Sequence, residues 1–276
     1  MAQREFTPRE VISLGGGVQS TALFLMNLHN EIDPPADFAI FADTSWERAG
    51  TYENVARLNT VGLERGFPPI WMVSIGNIRA DMLKGGDGHH AHIPFYTRSL
   101  SRNGQLRFDG SDDVVEGTGQ LRRQCTAHYK IRAINAAIRE EFGMRKRVQW
   151  IGFSVDELVR MRPSRVAYVT HRFPLIERRM DRDDCAAWLQ SHGYPVPVRS
   201  SCIGCPYHSD AEWADLMPAE FEDACQFDET IRDKHLRRKD FKLYLHRSLV
   251  PLREVKLRPT GENLDKQAEC QAGCWL

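Results

Sequence analysis

The sequence predicts an α/β fold with a doubly wound, mostly parallel sheet and helices on both faces, as three observations indicate. Short apolar runs that are typical of buried strands recur at residues 11–14, 37–44, 69–75 and 147–154. Segments with helical spacing of apolar residues lie between these runs. The first run passes into a helix through three consecutive glycines. Strands that alternate with helices in this way favour a parallel sheet.

The glycine segment is the first candidate site. Val11–Leu14 is followed by Gly15, Gly16 and Gly17, and then by Gln19 and Ser20 at the start of the helix. Glycines at such a turn let the backbone approach a ligand, and the free N–H groups and positive dipole end of the helix favour an anion. The segment therefore predicts a phosphate site, with a plain strand-to-helix turn as the alternative.

This segment resembles the PP-loop of the adenine nucleotide alpha hydrolase and phosphoadenosine phosphosulfate (PAPS) reductase superfamily, whose pattern is SGGxDS. Gly15 stands in place of the leading serine and Gln19 in place of the aspartate. The resemblance implies that the pyrophosphate of an adenine nucleotide binds to the six residues Gly15, Gly16, Gly17, Val18, Gln19 and Ser20.

A second segment is similar to the "DTG…E…TY" segment of PAPS reductases, which lies next to the adenosine. It reads Asp43-Thr44-Ser45, Glu47 and Thr51-Tyr52. The strand that carries Asp43 and Thr44 ends close to the glycine turn in a parallel sheet, because ligands of such sheets lie at the carboxyl ends of the strands. The resemblance implies that Asp43 and Thr44 bind the adenosine, and the alternative is that Asp43 only caps a turn.

A third segment resembles the Gly-x-R-x-D-E-S-x-x-R segment of PAPS reductases. Gly152, Asp156 and Arg160 match it, whereas residues 153–155 depart from it. The resemblance implies that Gly152 and Asp156 contribute to the nucleotide site. Arg160 either clamps a phosphate or pairs with Asp156 at the surface.

The cysteines predict a metal centre. Cys202 and Cys205 form a CxxC followed by proline, a spacing that directs two sulfurs at one ion. The segment from Cys125 to Lys130 resembles the Cys-Cys-x-x-x-Lys segment of cluster-bearing family members, with Thr126 at the second cysteine. The resemblance implies that three thiolates hold a [4Fe-4S] cluster with one open iron. The alternative is a zinc ion on the same cysteines with His208 or His128.

Composition predicts a cytoplasmic protein without a membrane partner, because no apolar segment has the length of a signal peptide or a membrane span. The formal charge of zero excludes a chain built as a whole for polyanions.

Residues 76–124 look irregular and are expected to be a functional lid or a disordered segment. Asp181 or Asp183 is expected to cap a helix in which Cys185 belongs to the core.

The C-terminal part differs from the rest in charge. We expect a nucleotide-binding and cluster domain over residues 1–210 and a helical, basic extension over 211–276. Residues 231–258 contain ten Lys or Arg and three acidic residues, with Phe241 and Tyr244 among them. Such a segment can contact nucleic acid or can be a solvated face.

Two cysteines near the end of the chain complete the candidates. Glu269-Cys270 matches the start of the terminal motif of sulfonucleotide reductases, in which the cysteine attacks sulfur. Cys270 and Cys274 can alternatively carry a persulfide, or have no role.

Together these segments predict an ATP-dependent sulfur transferase. An acceptor oxygen would attack the α-phosphate of ATP, with magnesium on the phosphates and with Lys130 or Arg160 stabilising the added charge. Sulfide at the open iron, or a persulfide on Cys270, would then displace AMP. The alternatives are a PAPS or adenosine phosphosulfate (APS) reductase and a non-catalytic adenine-nucleotide-binding protein. Expected partners are a tRNA, DNA or small-molecule acceptor and a sulfur donor or reductant protein, and a homodimer is an open alternative.

Overall fold

The computed structural model describes residues 9–84, 93–101, 115–234 and 241–258. These residues form two compact units. The first unit contains residues 9–75 and 129–201, and the second contains the described residues of 76–128 and 202–258. This division differs from the expected boundary at residue 210, because residues 76–128 belong with the C-terminal part. Within the described ranges, no helix is both long and apolar enough to cross a membrane.

The strands of the described residues are numbered in chain order. They are β1 Arg9–Leu14, β2 Phe38–Ala42, β3 Trp71–Val73, β4 Tyr96–Ser101, β5 Val115–Gln120, β6 Arg147–Ile151, β7 Val169–Arg172 and β8 Phe241–Tyr244. The α-helices are α1 Val18–Leu28, α2 Ala49–Glu64, α3 Ile78–Lys84, α4 Arg132–Phe142, α5 Pro174–Glu177, α6 Arg182–Ser191, α7 Asp210–Ala214 and α8 Pro218–Ile231. A π-helical turn, Thr126–Ile131, leads into α4, and short 3₁₀ turns cover Val155–Arg160 and Leu252–Glu254.

The first unit is built on a five-stranded sheet of order β3-β2-β1-β6-β7, in which every pairing is parallel. The chain winds from β1 outward to β3, and then returns to the other side of β1 as β6. The winding direction therefore reverses between β1 and β6. In an open parallel sheet, the crevice at the carboxyl ends of two such strands is where ligands bind.

Alternation along the strands divides the core of the first unit into two layers. Ile12 and Phe41 point to the face that α1 and α6 cover, whereas Val11 and Ile40 point to the face that α4 covers. Helices therefore flank both faces of the sheet, and the predicted α/β class is confirmed. Cys185 is fully buried in the first layer, as predicted.

The cap of α6 is also as predicted. The Asp181 carboxylate accepts a hydrogen bond from the Asp184 N–H, at 2.8 Å. The Asp184 side chain accepts one from the Asp181 N–H in return, at 3.0 Å. This capping box satisfies backbone donors that the first helical turn leaves open.

The second unit corrects two expectations. Residues 76–124 were expected to be irregular, but α3, β4 and β5 lie within them, and residues 85–92 and 102–114 lie outside the described residues. The C-terminal extension was expected to be helical, and it contains α8 and most of α7, but it also contains the strand β8. This strand pairs antiparallel with β4, which also pairs with β5. These strands depend on partners far along the chain, such as Tyr96 opposite Tyr244. A local sequence pattern does not reveal such partners.

Candidate functional site

The glycine turn after β1 is fixed by close packing. Gly16 has a φ of +76°, and a Cβ atom there would lie 2.9 Å from Thr51 Cγ2. Both the backbone conformation and the space therefore favour glycine. The Asn54 side-chain amide of α2 donates to Gly16 O at 2.9 Å and to Thr21 Oγ1 at 2.8 Å. The turn is thus held between two helices.

The turn opens directly into the first turn of α1. Gly17 is the N-cap residue, has an extended backbone and offers no side chain to cap the helix. The N–H groups of Val18, Gln19 and Ser20 have no acceptor within the helix, as helix geometry requires. The Ser20 hydroxyl donates back to Gly17 O at 3.2 Å. An anion is the natural partner of such N–H groups at the positive end of a helix dipole.

Gly152 brings the end of β6 against the same helical turn. A Cβ atom on Gly152 would lie 3.1 Å from Ser20 Cα and 3.2 Å from Ser20 N. These are main-chain atoms, so they cannot move aside without displacing α1. The structure therefore brings Gly152 and the Gly15–Ser20 segment together at the point where the winding of the sheet reverses.

A polar network extends from the glycine turn. The Gln19 side-chain amide donates to Ser154 Oγ and to Glu157 Oε2, both at 3.4 Å. Glu157 forms an ion pair with Arg160, and both side chains are largely buried. Burial raises the pKa of Glu157, while the charge of Arg160 opposes that rise. Asp156 lies on the same 3₁₀ turn and is exposed.

Asp43 and Thr44 lie at the carboxyl end of β2, where sequence analysis placed the adenosine. Asp43 Oδ1 accepts hydrogen bonds from the Tyr52 hydroxyl and the Ser45 N–H, both at 2.7 Å. Burial, and the bond to Asp43, raise the pKa of Tyr52. The Thr44 hydroxyl donates to Glu47 Oε1 at 3.0 Å. The motif residues Asp43, Thr44, Glu47 and Tyr52 therefore form one connected group.

Lys130 joins this group through Glu47. Its Nζ lies 2.9 Å from Glu47 Oε1, and the Glu47 side chain is fully buried whereas 19% of the Lys130 side chain is exposed. The pair places the Lys130 charge beside a carboxylate. A buried carboxylate without its cation is costly, so Lys130 has a structural role in addition to its predicted role in catalysis.

The three predicted metal ligands all belong to the second unit. Cys125, Cys202 and Cys205 are half-buried, and the Cys205 N–H donates to Cys202 O at 3.1 Å in the CxxC turn. Among the described residues, no three His, Cys, Asp or Glu side chains come together closely enough to hold a metal ion. A cluster or a zinc ion at these cysteines therefore stays a prediction.

Tyr207 interacts electrostatically with two of these cysteines, Cys205 and Cys125. Burial raises the pKa of Tyr207 to about 12, Arg123 opposes the rise, and negative charge on Cys205 or Cys125 adds to it. Both thiols are therefore electrostatic neighbours of one hydroxyl. His208, named in the zinc alternative, is buried and packs edge-on against Trp213 at 4.5 Å between ring centroids.

The remaining candidates have different outcomes. Cys270 and Cys274 lie outside the described residues, as do residues 235–240 of the basic segment. Tyr244 is 7% exposed and has the guanidinium of Arg232 over its ring at 3.9 Å. Its ring is therefore used in packing, which the alternation of aromatic and basic residues did not reveal.

Sequence reasoning missed Ser200 and Asn54. A Cβ atom on Gly17 would lie 2.8 Å from Ser200 Oγ, so this hydroxyl lies directly against the N-cap of α1. Ser200 immediately precedes the segment that contains the CxxC, and no pattern in the sequence links it to the glycine turn. Asn54 stands two residues after Tyr52 in α2, and no spacing pattern in the sequence marks its amide as a contact of the glycine turn.

The sequence was also compared with known proteins. No protein-family model matches the chain, and no curated protein matches it significantly.

Proposed function

We propose that this protein is an ATP-dependent sulfur transferase with a PP-loop fold, which adenylates an acceptor with release of pyrophosphate before sulfur is inserted. The observation that carries the proposal is the packing of Gly16, Gly17 and Gly152. Their missing Cβ atoms let the end of β6 and the uncapped first turn of α1 lie together where the winding of the sheet reverses. This is the geometry that binds phosphates in parallel sheets.

Different residues around the turn would bind the nucleotide and stabilise the charge of the reacting phosphate. The N–H groups of Val18, Gln19 and Ser20 would bind the pyrophosphate part of MgATP. The group of Asp43 and Thr44 would bind the adenosine. As an acceptor oxygen attacks the α-phosphorus, the bond to the pyrophosphate breaks, and Arg160 would stabilise the added negative charge.

The sulfur step needs a donor. The predicted donor is a [4Fe-4S] cluster on Cys125, Cys202 and Cys205, which would present sulfide at an open iron. Iron content can be measured independently of adenylation.

Product analysis tests the proposal. The full chain would be incubated anaerobically with MgATP labelled at the α-phosphate, with candidate acceptors and with sulfide to displace AMP, and AMP and pyrophosphate would be measured. We expect both products from the wild type. We expect Gly152→Ala to lose them, because the new Cβ would displace the backbone of Ser20. Gly119→Ala is the matched control, because its Cβ would meet only the Thr97 hydroxyl, at 3.3 Å.

Other products would contradict the proposal in identifiable ways. Sulfite from a phosphosulfate nucleotide, without pyrophosphate from ATP, would make the protein a sulfonucleotide reductase. Binding of ATP without pyrophosphate release under every acceptor would make it a non-catalytic nucleotide-binding module. Unchanged activity in Gly152→Ala would remove the glycine turn from the site.

A further inference from the structure

A cavity of about 90 Å³ lies in the first unit, on one face of its sheet. Gln149 and Ile151 line it, and they point to the same face of β6 because they are two residues apart. Ile131, which directly precedes α4, and Asn135 of α4 form a wall. Arg160, residues 162–166 and His171 also line the cavity. The cavity is thus bounded by regular elements on two sides and by an irregular segment on the third.

The apolar part of the lining is aromatic. Phe153 and Phe173, which follow β6 and β7, have stacked rings with centroids 5.9 Å apart and an angle of 19° between their planes. Phe153 is 3% exposed, so this surface is fixed in place. A cavity of about 150 Å³ accommodates benzene. The smaller cavity beside Phe153 therefore encloses no more than a single ring.

The charged part of the lining is cationic, and Asn135, Gln149, Ser164 and His171 add further polar groups. Arg160, Arg162 and Arg165 all line the cavity, and no carboxylate side chain is among the described residues that do so. The Arg160 guanidinium lies 4.4 Å from the centroid of the Phe153 ring and is paired with Glu157. Arg162 donates to two backbone carbonyls of its own segment, at 2.6 and 2.9 Å, which orders that segment.

We propose that this cavity binds a small monocarboxylate whose apolar or unsaturated body is no larger than one ring. The phenylalanine rings would contact the body of the ligand, and the guanidinium groups of Arg162 and Arg165 would attract its carboxylate. A neutral ring would gain no charge-assisted contact with these guanidinium groups. An inorganic anion would leave the aromatic surface without an apolar contact.

The ligand has a defined role if the proposed function is correct, and this part of the inference rests on that function. The network from Gln19 through Glu157 to Arg160 links the glycine turn to the cavity. A carboxylate can act as the nucleophile in an adenylation reaction. One of its oxygens would form a bond to the α-phosphorus, while the bond to the bridging oxygen breaks and pyrophosphate leaves with that electron pair. No proton has to be removed, and no oxidant or reductant is consumed.

Calorimetric titration of the full chain without nucleotide tests the binding site itself. The probes are furan-2-carboxylate, its neutral amide furan-2-carboxamide, and acetate, which has the charge without the ring. We expect saturable binding of the carboxylate and about tenfold or more weaker binding of the other two probes, since a charge-assisted contact or a buried ring contributes at least that much. Equal binding of the amide, or no saturable binding of the carboxylate, would overturn the proposal.

Variants locate the binding. Val166→Phe would fill the cavity and abolish binding, and Arg165→Gln, at an exposed position, would weaken it about tenfold. Arg139→Gln, on the exposed side of α4, is the matched control and is expected to bind as the wild type does. Binding that survives both cavity variants would overturn the proposal. Carboxylate binding in a protein that fails to bind MgATP would refute the proposed function alone, and pyrophosphate release without carboxylate binding would refute the cavity alone.

Discussion

The glycine turn of the first unit and the three cysteines of the second unit are built in different ways. At the turn, main-chain atoms come together because Gly16, Gly17 and Gly152 lack a Cβ, so the site is formed by the packing of the sheet and α1. At the cysteines, side chains from separate segments must converge, and the described residues do not show three ligands together. A site made by backbone packing is complete once the fold forms. A thiolate site also needs its ion, because metal binding contributes to folding of the site.

Iron content gives the sharpest test of this difference. If Cys125, Cys202 and Cys205 hold a cluster, anaerobically purified protein should contain about four irons per chain, and Cys125→Ala should lose nearly all of them. Cys225→Ala is the matched control, since Cys225 is a buried core residue of the same unit and burial raises its pKa to about 11. Iron and zinc would be measured by elemental analysis. A wild type with neither metal, or a Cys125→Ala protein that keeps its iron, would contradict the cluster.

Arg160→Ala should give the largest effect at the glycine turn. Removing a charged donor beside a reacting phosphate costs about 10² to 10³ in rate, so pyrophosphate release should fall by that factor. The double variant with Glu157→Gln separates two roles of Arg160. If Arg160 served only to neutralise Glu157, the double variant would regain activity, whereas a role at the phosphate predicts no recovery. Arg139→Ala provides the control at an exposed position of the same unit.

Lys130→Met should affect stability strongly. The variant removes the cation that pairs with the fully buried Glu47 carboxylate, which costs about 3 kcal/mol of the free energy of unfolding. Combining it with Glu47→Gln should restore part of that loss, since the buried carboxylate charge disappears. Denaturant titration followed by circular dichroism would measure both changes. A single variant as stable as the wild type would show that the pair contributes little.

A comparison of the free energies of unfolding of Gly16→Ala and Gly15→Ala tests whether backbone packing builds the turn. Alanine at residue 16 combines a left-handed backbone with a contact at 2.9 Å, so we expect a loss of about 2 kcal/mol. Alanine at residue 15 would meet only Ser20 Oγ, at 3.6 Å, which is an ordinary contact. Its effect on the free energy of unfolding should stay within about 0.5 kcal/mol. Equal losses in the two variants would contradict the packing account.

The parts of the fold that the sequence predicted depend on local patterns. Buried strands such as β1 and β2 are continuous apolar runs, the glycine turn follows directly in the chain, and the cap at Asp181 needs only four residues. The strands β4, β5 and β8 were missed because their stability comes from pairing between distant segments. For the same reason the basic segment that contains Tyr244 did not reveal that this ring is buried.

The candidate site likewise has a part that the sequence predicted and a part that it did not reveal. Gly152 was expected at the nucleotide site because its segment resembles one in PAPS reductases, and the structure places it against the glycine turn. The pairing of Lys130 with Glu47, and of Gln19 with Glu157, requires side-chain positions that no spacing rule supplies. Ser200 is the clearest case, since it is 183 positions after Gly17 in the chain.

Ser200→Ala should give the smallest effect and tests that residue directly. The SGGxDS pattern that the glycine segment resembles begins with a serine where this chain has Gly15. The Ser200 hydroxyl, from another segment, lies against Gly17. If this hydroxyl donates to a bound phosphate, its loss should weaken MgATP binding by about 1 kcal/mol, roughly fivefold, with little change in stability. Ser191→Ala, at an exposed hydroxyl on α6, is the matched control. An unchanged affinity in Ser200→Ala would show that this hydroxyl does not contribute to binding, and would favour a site that the main-chain N–H groups of the turn dominate.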